Sequence, residues 1–143
     1  MPCAASREPR WIPNAVSEIL RTSFGFGGIA GPVRYAVRDF ELRGKTISKG
    51  QMMMLSVAGA GRDPALYDDP DRFDVTRNAP DLMTFGHGQH YCLGANLARQ
   101  ELGVMIEAML DFLPPGARRR EDLVEYQDLG FVRRPLSLPI EIA

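Results

Sequence analysis

The residues best placed to do chemistry lie between Phe85 and Arg99, in FGHGQHYCLGANLAR. Cys92 follows Gly86 and Gly88 and precedes Gly94, at the mouth of what reads as the longest helix of the chain. Glycines there admit backbone angles and close approaches that a Cβ would forbid. A planar macrocycle lying against a loop needs such clearance. A sulfur at a helix N-terminus sits where the dipole and the free N–H groups favour an anion. Backbone donors aimed at that sulfur also tune any metal it holds. Thiolate ligation is therefore the chemistry this loop suits, and a buried inert thiol is the plain alternative.

Two other sites compete for attention. His87, His90 and Cys92 are three zinc-type ligands close together, and a catalytic zinc needs only three from protein. They lie among glycines rather than on a ligand-bearing helix, and no fourth ligand cluster accompanies them. Gly25, Gly27 and Ala30 fit the G-x-G-x-x-A spacing of a nucleotide loop, but they follow a helix where that motif requires a strand.

The elements that must position Cys92 can be read from periodicity. Pro13 is suited to the first turn of a helix, and Val16, Ile19 and Leu20 give it a short apolar stripe. Residues 1–12 read as an irregular lead-in, and GFGGIAG (25–31) ends the helix. Val33, Tyr35 and Val37 alternate with Arg34, Ala36 and Arg38, as in a half-buried strand. Arg43-Gly44 and Lys49-Gly50 are turn signals, which divide Phe40–Leu42, Thr46–Ser48 and Met52–Val57 into small antiparallel pieces. Arg62 to Met83, rich in Asp, Pro and Arg, reads as a long functional connection. A helix follows from about Leu93 to Leu113, with Ala98, Leu102, Met105, Met109 and Leu113 on one face. Val104, Ile106 and Leu110 widen that face, which predicts burial on more than one side. Pro114-Pro115-Gly116 stops it, and strand-like pieces close the chain around Phe131-Val132 and Leu136–Ile140.

The spacing F-G-x-G-x-H-x-C-L-G-x-x-L-A-R resembles the haem loop of the cytochrome P-450 family. The resemblance implies haem (iron protoporphyrin) as cofactor and Cys92 as its proximal thiolate, pushing electron density toward O–O cleavage. It implies that Phe85 packs near the sulfur, that His90 reaches a propionate, and that Gly86 and Gly94 give the porphyrin clearance. Glu18 and Arg21, three apart and opposite the apolar stripe, read alone as a solvated helix pair worth about 0.2–0.5 kcal/mol. They match the family's E-x-x-R helix, whose pair is buried and whose third member is an arginine of the later connection. Arg72 in PDRF is the first candidate for that part and Arg77 the second. Arg34, in GPVRYAVRDFEL, resembles the strand arginine that holds a propionate, with an outward-facing arginine as the alternative. Arg62-Asp63-Pro64 matches a structural segment of the family. Ile29-Ala30 and Leu129–Phe131 correspond to substrate-lining turns.

The implied fold is mixed α and β, mainly α: a partial P-450 fold of E-x-x-R helix, small antiparallel sheets, meander, Cys loop and long helix. It occupies residues 13–143 and corresponds to about the C-terminal third of a family member. The implied parent activity is O2-dependent oxidation of a small organic substrate. Electrons would come from NAD(P)H through a ferredoxin or flavoprotein reductase docking near Cys92, with Arg99 as a candidate contact. A long central helix carrying an acid–alcohol pair has no counterpart in this sequence. The chain alone is therefore expected to be catalytically incomplete, and to self-associate or repack over core surface that a larger domain would cover. A net charge of -1 argues against nucleic-acid or polybasic membrane partners. No apolar run approaches the ~18 residues of a span, and the start has no signal-peptide core, which together point to a cytoplasmic protein. Cys3 and Cys92 make no disulfide framework.

Overall fold

The computed structural model describes residues 8–23, 32–77, 82–128 and 133–142. Two helices form its centre. The first, α1 (Ile12–Ser23), is preceded by a 3-10 turn at Pro9–Trp11. The lead-in expected over residues 1–12 thus ends in regular structure within its described part. Ile12, Val16 and Leu20 recur at i, i+4 and i+8 and are buried. They pack against Ala95 and Phe85, with Leu82, Ala98, Leu102 and Ile106 at the margin.

Those partners place α3 (Ala95–Phe112) on the apolar stripe of α1. The small side chains of Ala95 and Ala98 permit close approach. At Gly103 an added Cβ would stand only 3.8 Å from Ile12 Cγ2. The helix is buried on this one face. Val104, Met105 and Phe112 are exposed, at 66%, 50% and 82%, so the expected burial on a second side is not found. Met105 and Met109 were placed on the core face by periodicity. The packed stripe runs along Ala95, Ala98, Leu102 and Ile106 and leaves Met105 and Met109 exposed.

Between the helices the chain makes short antiparallel pairs. β1 (Val33–Tyr35) pairs with β4 (Met52–Met54), with Arg34 opposite Met53. β2 (Phe40–Leu42) pairs with β3 (Lys45–Ile47) across Arg43-Gly44, both at positive φ (48° and 75°), the geometry of a tight hairpin turn. β1 is exposed throughout, and the buried residue of that segment is Ala36 just beyond it. The strand expected to continue to Val57 gives way at Ser56 to a single turn, α2 (Val57–Ala60), capped by the Ser56 hydroxyl accepting from the Gly59 N–H at 3.0 Å.

Residues 61–77 form successive turns without helix or strand, as the long connection predicts. After α3, β5 (Arg118–Arg119) pairs with β8 (Ile140–Glu141) and β6 (Tyr126–Asp128) with β7 (Arg133–Pro135). Residues 25–31 and 129–132, with Ile29-Ala30, Leu129–Phe131 and the strand expected at Phe131-Val132, lie outside the described residues. No helix among the described residues is long and apolar enough to cross a membrane.

Candidate functional site

The Cys92 loop is built by two 3-10 turns, Met83–Phe85 and Gly88–His90, that deliver the chain to the start of α3. Gly86 and Gly88 hold φ at 78° and 74°, a region that side chains strain to adopt, so these glycines are required where they stand. The Cys92 N–H donates to the Phe85 carbonyl at 2.9 Å and closes the loop. The Ala95 N–H then donates to the Cys92 carbonyl at 3.2 Å, which joins the cysteine to the first turn of the helix.

Phe85 is buried beneath this loop, against the α1–α3 core. The Tyr91 ring meets it edge-on at 6.4 Å and 66°, and the Arg99 guanidinium lies 5.2 Å from its centroid. Cys92 is exposed with a free thiol, and Leu93 beside it is fully exposed. An added Cβ at Gly88 would meet nothing within 4 Å, and one at Gly94 only Cys92 Sγ, at 3.9 Å. The loop therefore offers one sulfur on an open surface with an apolar neighbour and no projecting Cβ at the glycines. That suits a flat, largely apolar ring held by a single thiolate.

Of the residues expected at the site, Phe85, Gly86, His90, Cys92 and Gly94 come together in this loop. An added Cβ at Gly86 would lie 3.7 Å from the His90 carbonyl, and the His90 side chain is exposed. Arg34 lies on β1, where its Nη1 donates to the neighbouring Val33 carbonyl at 2.9 Å. Among the described residues no three His, Cys, Asp or Glu side chains form a group able to hold a metal ion. The alternative of a zinc site on His87, His90 and Cys92 is thereby set aside.

Glu18 and Arg21 are not the solvated pair that spacing alone describes. Both are 1% exposed. Arg21 donates through Nε and Nη2 to the two Glu18 oxygens at 2.7 and 2.6 Å. Its Nη1 donates to the carbonyls of Gly61 (2.7 Å) and Pro70 (2.6 Å), and Nη2 also to Arg72 (3.1 Å). A guanidinium has five N–H donors, and these bonds occupy all five. Burial pushes the Glu18 carboxyl up, but the Arg21 bonds, the Asp74 N–H at 2.9 Å and the charges of Arg21 and Arg77 outweigh it and hold it below the usual range.

The third arginine is Arg77. Its Nε lies 3.5 Å from Glu18 Oε1 and its side chain is 13% exposed. The side chain of Arg72, the first candidate, is 67% exposed and pairs loosely with Asp74, while its backbone carbonyl alone serves the cluster. The reason is the course of the turns, which bring residue 72 past Arg21 with its side chain outward. Tyr67, which sequence gave no reason to single out, is buried under Arg21 and Arg77, with guanidinium-to-centroid distances of 5.0 and 6.0 Å. Arg62 donates to the Thr22 carbonyl at 2.5 Å, which ties the segment after α2 to the end of α1.

Comparison with known proteins accords with this arrangement. The cytochrome P450 family model matches residues 11–137. A mycinamicin IV hydroxylase/epoxidase of Micromonospora griseorubida is 44% identical over 134 residues, 92% of this chain and 33% of that protein. A vitamin D(3) 25-hydroxylase of Pseudonocardia autotrophica is 44% identical over 137 residues, again 33% of its length. The crystal structure of a P450 hydroxylase from leinamycin biosynthesis in Streptomyces atroolivaceus superposes with a TM-score of 0.84 at 43% identity. It covers 94% of this chain and 35% of that one. The chain thus spans about a third of the length of the relatives it matches. By sequence and by fold, this chain belongs to the cytochrome P450 family, whose cofactor is haem.

Proposed function

We propose that this chain supplies the haem-binding part of a haem-thiolate monooxygenase, with Cys92 as the residue whose thiolate would hold the iron. The observation that carries the reading is the Cys92 loop itself. It is closed by the Cys92–Phe85 backbone bond, fed into α3, and open at the sulfur. Haem bound there would supply activation of O2. The chain's own residues would hold and orient it: Cys92 would ligate, Gly86 and Gly94 would keep the face clear, and Phe85 supports the loop from within. His90 and Arg34 are the candidates for pairing with the propionates, as charge-assisted donors to carboxylates.

The substrate class is a small organic molecule, in keeping with relatives named as hydroxylases of mycinamicin IV and vitamin D(3). The electron donor is a ferredoxin or flavoprotein reductase drawing on NAD(P)H. One observation favours a second reading, a haem-binding module without turnover: α1 and α3 are the only helices longer than four residues among the described ones. Positioned proton donors and a water-excluding distal wall would have to come from elsewhere.

Haem titration followed by a turnover assay tests both readings. Saturable uptake near one equivalent, weakened by Arg34→Leu, supports the site, and product formation with a surrogate reductase separates the enzyme from the module. Failure to take up haem overturns both.

A further inference from the structure

We propose that Arg99 is a positioning residue for the Cys92 thiolate, acting through Phe85. This inference deepens the haem-thiolate reading and rests on it. Arg99 lies on the first turns of α3 and is only half-exposed, with its guanidinium 5.2 Å from the centroid of the buried Phe85 ring. Tyr91 closes on the same ring from its edge at 6.4 Å. The backbone of Phe85 is itself the acceptor for the Cys92 N–H, at 2.9 Å. Ring and carbonyl belong to one residue, so a cation that holds the ring restrains the residue whose carbonyl orients the cysteine. A cation held on an aromatic face gains most where water is excluded, and Phe85 is 8% exposed. Arg99 therefore does more than carry charge on an open helix: it ties α3 back onto the loop that precedes it and holds a positive charge on the ring of the residue whose carbonyl bonds Cys92.

The test uses the chain in a Cys3→Ser background, so that one thiol remains, and compares Arg99→Leu, Arg99→Lys and Phe85→Leu. In Arg99→Leu the Cys92 amide is expected to exchange with solvent about five-fold faster, the change that a contact of ordinary strength corresponds to. The Asp74 amide, bonded to Glu18, should be unaffected. In the haem-loaded chain Arg99→Leu should lower the reduction potential, because a positive charge near the thiolate favours the reduced state. Arg99→Lys should restore most of the potential and only part of the amide protection, since it keeps the charge and loses the plane. In a Phe85→Leu background the Arg99→Leu change should have little further effect on exchange. Unchanged exchange and unchanged potential in Arg99→Leu would overturn the inference and leave Cys92 ligation standing. Faster exchange in a chain that never shows a thiolate spectrum would retain the clamp and remove the haem reading.

Discussion

The Glu18–Arg21 cluster and the Cys92 loop both join a helix to the connection beside it, but one is closed and the other open. In the cluster two opposite charges are 1% exposed and every Arg21 donor is used. In the loop the thiol, His90 and Leu93 face outward over a framework that is itself well bonded. The first arrangement ties α1 to residues 61–77 and uses every Arg21 donor inside the protein. The second keeps its reactive group free of structural duty. Stability and chemistry are thus assigned to different residues, which gives each a separate set of expected failures.

The largest effect is expected from Arg21→Leu. Removing one partner of a buried ion pair leaves the other uncompensated, a loss of about 3–5 kcal/mol. Urea unfolding followed by circular dichroism should show it as a collapse of the cooperative transition. A loss below about 1 kcal/mol would mean that the cluster is not the closed structure described. Gly61→Ala attacks the same cluster through the backbone. The new Cβ would meet the Arg21 carbonyl at 2.6 Å, and strain of about 1–3 kcal/mol is expected.

Arg77 and Arg72 sharpen the comparison. Arg77→Gln withdraws charge from Glu18 and should destabilise by about 1–3 kcal/mol. Arg72→Gln leaves the serving carbonyl in place and should stay within about 0.5 kcal/mol. The reverse order would return the third place to Arg72.

A pH series adds a further check. The folded-state pKa of Glu18 is lowered from 4.5, so its contribution is fully present above that value. It should be lost as pH falls through the lower folded value, seen as a declining urea midpoint on the acid side. A midpoint flat through that range would show that Glu18 is not held in its charged form.

How much of this was legible in sequence varies by region for physical reasons. The turns of the Cys92 loop were readable because Gly86 and Gly88 hold backbone angles that only glycine adopts freely. Helix α3 was readable in extent to within two residues, because Pro114-Pro115 and a sustained apolar pattern bound it. Its buried face was legible only in part, through Ala98, Leu102 and Ile106. Periodicity weights Met105 and Met109 as core as well, whereas both are exposed.

Spacing alone described Glu18 and Arg21 as solvated, since an i, i+3 pair looks the same on either face. Only the family resemblance suggested burial. The choice between Arg72 and Arg77 depends on which way consecutive turns aim a side chain, and no local pattern encodes that. Tyr67 was overlooked for the same reason, and α2 because VAGA has too little length and too much glycine to announce a helix.

The smallest stability effect belongs to Cys92→Ala, expected within about 0.5 kcal/mol of the parent because the thiol is exposed and bears no structural load. The same substitution is expected to abolish thiolate ligation of haem. The measurement is a reduced, carbon-monoxide difference spectrum of the haem-loaded chain beside Cys92→Ala of equal stability. With Cys92 on the iron, the parent is expected to show a strongly red-shifted Soret band that the variant loses. An identical spectrum in the two would contradict Cys92 ligation.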